Sequence, residues 1–219
     1  MADPSIVFLF DVDNTLLDHD QVTADLRNHL ELTAGPDKAR RYWELFETIR
    51  SELGYADYLG ALQRYRMEYP REPHLLGVSY FLLSYPFANR LFPGALDAVQ
   101  HVRQWGTPVV LSDGDVVFQP RKVYRSGIYE RFSGNVLIYV HKEIELDDVE
   151  AKFPADRYVV IDDKVRLLAA IKKVWGPRVT TVFVRQGHYA FDAQTIAQYP
   201  DADITIERIG DLASHKFGC

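Results

Sequence analysis

Cysteine is almost missing from these 219 residues, and the one present is the last, Cys219. A lone thiol excludes a disulfide framework and a cysteine-rich zinc site, and it fits a reducing compartment. Also missing is any apolar run long enough to cross a bilayer. The first strand-like run, Ile6 to Phe10, is too short and lacks the basic flank of a secretory leader. The expected location is therefore the cytoplasm, with no membrane partner. Basic residues are outnumbered, 25 Lys and Arg against 31 Asp and Glu, and no basic face is evident. A net charge of −6 argues against a protein that binds a nucleic-acid polymer by neutralising its phosphates. A small anionic substrate would need a local positive site. Repeats and low-complexity tracts are absent as well.

What remains is an ordinary globular composition, 47% hydrophobic and 26% charged, enough for one substantial core and a smaller inserted domain. Two textures divide it. From Asp18 to about Leu91 the signals are helical: Tyr42, Leu45, Phe46, Ile49 and Leu53 recur at helical spacing, as do Tyr55, Tyr58, Leu59, Leu62 and Tyr65. Gly35-Pro36, Gly54 and Pro70-Arg71-Glu72-Pro73 punctuate them. With helices near Val22 to Thr33 and Leu75 to Ser84, the segment predicts a four-helix unit. After Phe92-Pro93-Gly94 helix and strand alternate. Strands are expected at Pro108–Leu111, Val136–Val140, Tyr158–Ile161, Val179–Val184 and Ile204–Ile206, with helices around Leu96–Val102, Val116–Ser126 and Leu167–Trp175. Short apolar runs between amphipathic helices imply a parallel sheet covered on both faces. Ile6 to Phe10 belongs to that sheet, so the helical unit is an insertion.

That first strand ends in Asp11-Val12-Asp13-Asn14-Thr15-Leu16. Carboxylates two apart in an extended segment point the same way, and two like charges that close require a cation or a shared proton. Oxygen-only ligands suit Mg²⁺, which takes one or two carboxylates plus phosphate oxygens. In open α/β sheets ligands bind beyond the carboxyl ends of strands; the competing reading is a solvated Asp-rich turn that opens a helix. The later strand ends carry Ser112-Asp113-Gly114, His141-Lys142-Glu143 and Asp162-Asp163-Lys164. Each has a task in phosphoryl chemistry: a hydroxyl and turn amides to hold phosphate oxygens, an ammonium to neutralise them, and carboxylates to complete a metal site.

On Phe10-Asp11-Val12-Asp13-Asn14-Thr15-Leu16, the Ser112 turn, Lys142 and Val160-Ile161-Asp162-Asp163, the chain resembles the haloacid dehalogenase-like (HAD) hydrolase superfamily. The resemblance implies a Rossmann-like α/β core of residues 1–17 and 92–219, with helices on both faces of a parallel sheet, and a helical type 1 cap of residues 18–91. It further implies Asp11 as nucleophile and Mg²⁺ ligand, with an aspartyl-phosphate intermediate. Asp13 would be general acid and then base, its backbone carbonyl also a metal ligand; ionised Asp11 nearby is expected to raise its pKa. Ser112, the Asp113 backbone amide and Lys142 would bind phosphate oxygens, with Lys164 or Lys152 as substitutes for Lys142, which lacks the family's frequent Lys-Pro pair. Asp162 would bind metal, and Asp163 either the metal or a ligand to it. Asp113 and Asp115 are expected to turn their side chains away.

Members that cleave carbon–halogen bonds characteristically lack the second aspartate, because halide departs unprotonated. Asp13 therefore favours a phosphatase acting on a small phosphorylated metabolite, of the nucleotide or sugar phosphate class, enclosed under the lid. A carbon–halogen hydrolase and a non-catalytic phospho-ligand-binding protein stay open, as does monomer against homodimer. Arg90 is a candidate gate, and Arg185-Gln186-Gly187-His188-Tyr189 is placed on the catalytic side. The aromatics of the insert read mainly as core.

Overall fold

A computed structural model describes residues 5–217; Cys219, the thiol behind the expected reducing compartment, lies outside them. Its strands are β1 (Ile6–Phe10), β2 (Thr107–Asp113), β3 (Val136–Tyr139), β4 (Arg157–Asp162), β5 (Val179–Val184) and β6 (Ile204–Ile206). They form one parallel sheet in the order β3-β2-β1-β4-β5-β6. The two halves of the sheet grow outward from β1, so the switch in strand order falls at β1, where a crevice opens beyond the strand ends.

Alternate residues of each strand feed opposite cores. Phe8 and Phe10 face one side with Val110, Ile161 and Val182. Val7 and Leu9 face the other with Val109, Leu111 and Val160. Each such side chain stabilises the fold by about 1.5–3 kcal/mol relative to exposure. This two-sided burial is why the strands read as unbroken apolar runs.

Between β1 and β2 the chain forms four helices: α1 (His19–Ala34), α2 (Pro36–Leu53), α3 (Tyr58–Glu68) and α4 (Leu75–Ser84). Their limits follow from local chemistry. The Asp18 and Asp57 carboxylates cap α1 and α3, Pro36 opens α2, and Gly54 ends it in the left-handed conformation. The chain leaves and returns side by side: Leu17 and Leu91 form an antiparallel bridge, Phe92 N donates to Leu16 O at 2.9 Å and Asp18 N to Arg90 O at 2.7 Å. One apolar cluster runs from the sheet into these helices through Phe87, Phe118 and Tyr58.

Beyond the insert, α5 (Ala95–Val102), α6 (Phe118–Arg125) and the short α7 (Ile128–Arg131) cover the Phe8 face. The opposite face is covered by α8 (Leu146–Lys152) and α9 (Val165–Trp175), where Trp175 stacks on Tyr158 at 4.2 Å. Helix α6 starts two residues later than its apolar pattern predicts, because the Asp115 carboxylate accepts from Val117 N and Phe118 N and holds that turn outside the helix. Among the described residues, no helix is long and apolar enough to cross a membrane.

Candidate active site

Register alone assembles the acidic cluster. Phe10 pairs with Ile161, and Asp11 N donates to Ile161 O at 2.9 Å, so Asp11 and Asp162 emerge side by side from β1 and β4. Asp163 follows on the same turn, and one oxygen from each of the three lies within 4.8 Å of the others. All three are buried. Asp11 Oδ2 and both Asp163 oxygens have no hydrogen-bond partner. Burial pushes the Asp11 carboxyl up to about 6 against the pull of Lys142, with Asp162 adding to the rise. Burial likewise drives Asp163 well above the ordinary carboxylate range. Buried carboxylates with open oxygens are costly unless a cation compensates them, and an all-oxygen donor set suits a hard divalent ion such as Mg²⁺. The residues fit that ion, and Asp163 stands with the other two rather than behind them.

Lys142, 1% exposed, enters from the β3 side with Nζ 2.6 Å from Asp11 Oδ1. It is also 2.7 Å from Asp162 Oδ2, at an angle outside hydrogen-bond geometry, and 3.2 Å from Leu111 O. Its burial opposes the charge, and Asp11, Asp162 and Asp113 outweigh that, raising it well above the ordinary lysine range. The Asp113 carboxylate accepts from Lys142 N at 2.7 Å, which turns it onto the backbone, and burial raises its pKa. Of the two substitute lysines, Lys152 is ruled out. It is half exposed on α8 and paired with Asp148. Lys164 precedes α9, lines the cavity, and is raised by Asp163 and Asp11 despite its burial.

Asp13 departs from expectation. Its carboxylate stands outside the acidic cluster and is held by Lys122 Nζ at 2.6 and 2.7 Å, with His19 Nδ1 3.7 Å away. Burial favours the proton, but His19 and Lys122 outweigh it and hold Asp13 at about 2. The upward shift expected from Asp11 is thus overridden by Lys122, and by His19 at the acidic pH where Asp13 titrates. Burial in turn holds His19 down to about 4, so its ring is neutral at pH 7. His19 Nε2 meets Tyr58 OH at 2.9 Å, and Tyr58 OH meets Thr23 Oγ1 at 3.0 Å.

Lys122, Gln119 and His19 are what sequence reasoning missed. A signal existed for two of them: Phe118, Gln119, Lys122 and Val123 form the buried face of α6, so two long polar side chains occupy core positions of a strand-end helix. Ser112, 1% exposed, accepts from Gln119 Nε2 at 2.9 Å. The turn itself rests on Asn14, whose left-handed φ of 61° is one an asparagine tolerates. Asn14 Oδ1 accepts from His19 N and Asp20 N, joining the Asp11 turn to the start of α1.

A cavity of about 340 Å³ opens beside Asp13, lined by Asp13, Lys122, Lys164 and Phe118 on the sheet side and by Arg50 and Tyr55 from the insert; Asp11, Asp162 and Asp163 do not line it. Arg50 reaches Tyr189 OH at 2.5 Å. Arg90 lies elsewhere, bound to Asp25 and Tyr85 where the insert returns to the sheet, and does not line this cavity. In the loop after β5, Tyr189 lines the cavity, while His188 binds Asp20 and Gln186 binds Thr15 O, fastening the loop to the Asp11 turn. Tyr42, Tyr58 and Tyr65 of the insert are core, as their spacing predicts.

No curated protein matches the chain in sequence. Among solved structures, a protein from Burkholderia xenovorans LB400 assigned as a haloacid dehalogenase-like hydrolase is 60% identical, with a TM-score of 0.94 over 98% of this chain and 100% of that one. A haloacid dehalogenase-like family hydrolase from Xanthomonas campestris shares the fold at 17% identity, TM-score 0.65, covering 97% of this chain and 91% of that one. So does the L-2-haloacid dehalogenase of Xanthobacter autotrophicus, at 17% identity and TM-score 0.62, over 95% and 96%. The family model for haloacid dehalogenase-like hydrolases matches residues 7–174, and the chain belongs to that family of hydrolases.

Proposed function

We propose that this hydrolase acts on a small-molecule phosphate monoester, of the nucleotide or sugar phosphate class, and depends on Mg²⁺. The observation that carries this is the buried Asp11, Asp162 and Asp163 cluster, whose open oxygens a divalent cation would compensate. Those three side chains, with the Asp13 backbone carbonyl, would hold the ion. When bound, it supplies neutralisation of the carboxylates and withdraws charge from a phosphoryl oxygen.

Asp11 attacks phosphorus, the bond to the ester oxygen breaks, and the alkoxide takes its proton from Asp13. Water then attacks the aspartyl phosphate, gives its proton to Asp13, and releases inorganic phosphate and the Asp11 carboxylate. Lys142 fixes Asp11 by one oxygen and leaves the other open. Asp13 is ionised at rest, the form that the water step requires. A phosphate dianion arriving beside it would raise its pKa toward the protonated form that the first step requires. Ser112 and the Asp113 amide would hold the nonbridging oxygens, and the insert would exclude water.

A panel of phosphorylated metabolites, each assayed with and without Mg²⁺, tests this. The expected result is Mg²⁺-dependent phosphate release that Asp11→Asn abolishes; wild-type turnover by that variant would sink the reading. One observation favours a second reading: Asp13 is held ionised, and loss of halide needs no acid. Metal-independent chloride release from 2-chloropropionate would establish it in place of the first.

A further inference from the structure

We propose that Lys122, acting through Gln119, is a positioning residue that fixes Asp13 and makes the Ser112 hydroxyl a donor to the substrate. The proposal rests on the phosphatase reading above. Its ground is a chain of contacts whose directions are forced. An ammonium only donates. Lys122 Nζ spends its donors on both Asp13 oxygens, at 2.6 and 2.7 Å, and on Gln119 Oε1 at 2.7 Å. With its carbonyl committed to Lys122, Gln119 must present its amide NH₂ to Ser112 Oγ, 2.9 Å away. Ser112 therefore accepts there, and its own proton remains to be given. Among the described residues its competitor is a long 3.3 Å contact to Asp113 O, which a phosphoryl oxygen would displace readily because hydrogen bonds to anions are the stronger.

Lys122 and Gln119 are 1% and 3% exposed, so although both border the cavity their polar atoms are turned to one another and to Asp13 and Ser112. Both project from one turn of α6, so a single rigid element sets the polarity of the phosphate-holding group and the place of the proton-transfer group. A buried ion pair with no part in the reaction would stabilise the fold without distinguishing one substrate from another. Positioning does distinguish them, because Asp13 matters most when the departing oxygen is strongly basic.

The test is steady-state kinetics on p-nitrophenyl phosphate and glycerol 2-phosphate with Lys122→Met and Gln119→Glu, with thermal melts alongside. For Lys122→Met, kcat on the alkyl ester is expected to fall about 100-fold, against less than about tenfold for the nitrophenyl ester, whose leaving group needs no proton. Asp13→Asn combined with Lys122→Met should be no slower than Asp13→Asn alone. Gln119→Glu keeps the ion pair with Lys122 but compels Ser112 to donate to it; KM and the inhibition constant of inorganic phosphate should rise about tenfold. Equal losses on the two esters, or unchanged inhibition by phosphate in Gln119→Glu, would overturn the proposal. Should Lys122→Met fail to fold, the isosteric Gln119→Glu decides. A wild-type protein that releases phosphate from neither ester nor any member of the metabolite panel refutes the phosphatase reading and this proposal with it, whereas active wild type with undifferentiated variants refutes the proposal alone.

Discussion

Lys142 and Asp11 are 131 positions apart in the chain, yet Nζ and Oδ1 lie 2.6 Å apart with both side chains buried. The pair holds the Asp11 carboxylate by one oxygen and also offsets part of the charge that Asp11, Asp162 and Asp163 bring together. Removing one partner of a buried pair leaves the other uncompensated, which costs about 3–5 kcal/mol. Lys142→Ala should therefore lower stability by that amount in urea unfolding of the metal-free protein, and Mg²⁺ should restore part of it. A loss below about 1 kcal/mol, the range of an exposed pair, would contradict the account.

Asp163 yields a prediction of opposite sign. Its two oxygens are buried without partners, so in metal-free protein its charge is a cost. Asp163→Asn should raise the melting temperature of the protein in EDTA. In wild type, Mg²⁺ at about 100 times its dissociation constant should add about 2.7 kcal/mol, a rise of roughly 5–10 °C for a chain of this size. The variant should lose most of that rise. A variant that melts lower in EDTA and still responds fully to Mg²⁺ would show that Asp163 is not part of the cation site.

The acidic cluster was legible because it is written as strand ends. An apolar run followed by an acid specifies where the acid emerges, and parallel pairing puts neighbouring ends together without further information. The strands themselves and the four helices of the insert were legible from period and punctuation, whereas the order of the strands across the sheet was not. The Asp13 clamp was not, because Lys122 lies 109 positions away and a lysine on a helix ordinarily reads as solvated. Its burial depends on α6 settling over the Ser112 turn, a tertiary fact. Helix α8 was hidden by its acidic first turn, Asp147-Asp148, and by having only two buried apolar residues, Leu146 and Val149.

His19 should make stability fall on acidification. Its pKa is lowered from 6.5 to about 4 by burial, so between those values the unfolded chain binds a proton that the folded one refuses. Its stabilising contribution is complete above pH 6.5 and is lost as pH falls toward 4, with a total near 3 kcal/mol. Asp11 runs the other way in metal-free protein. Raised from 3.8 to about 6, it costs stability above pH 6, and that cost is relieved as pH falls toward 3.8. The two oppose each other in one window, and the raised Asp163 and Asp113 carboxyls act in the same direction as Asp11, so the His19 component is read as a difference. Between pH 6.5 and 4 the unfolding free energy of the wild type should fall relative to that of His19→Gln, the gap between the two slopes being the His19 contribution. Equal slopes in the two proteins would mean that His19 titrates normally.

Gly114 is required by the close approach of α6. A Cβ at that position would lie 2.5 Å from Gln119 Cβ and 2.6 Å from Gln119 Cγ, closer than carbon atoms can pack. Gly114→Ala must push α6 away from the end of β2, at about 1–3 kcal/mol, and the displacement falls on the 2.9 Å contact between Gln119 and Ser112. Stability and phosphate affinity should decline together. Gly77, exposed in α4 with nothing within 4 Å of a built Cβ, is the control of opposite sign. Ala there should stabilise by about 0.5–1 kcal/mol and leave kinetics untouched. If Gly114→Ala behaves like Gly77→Ala in urea unfolding and in inhibition by phosphate, then α6 does not lean on the Ser112 turn as tightly as its geometry requires.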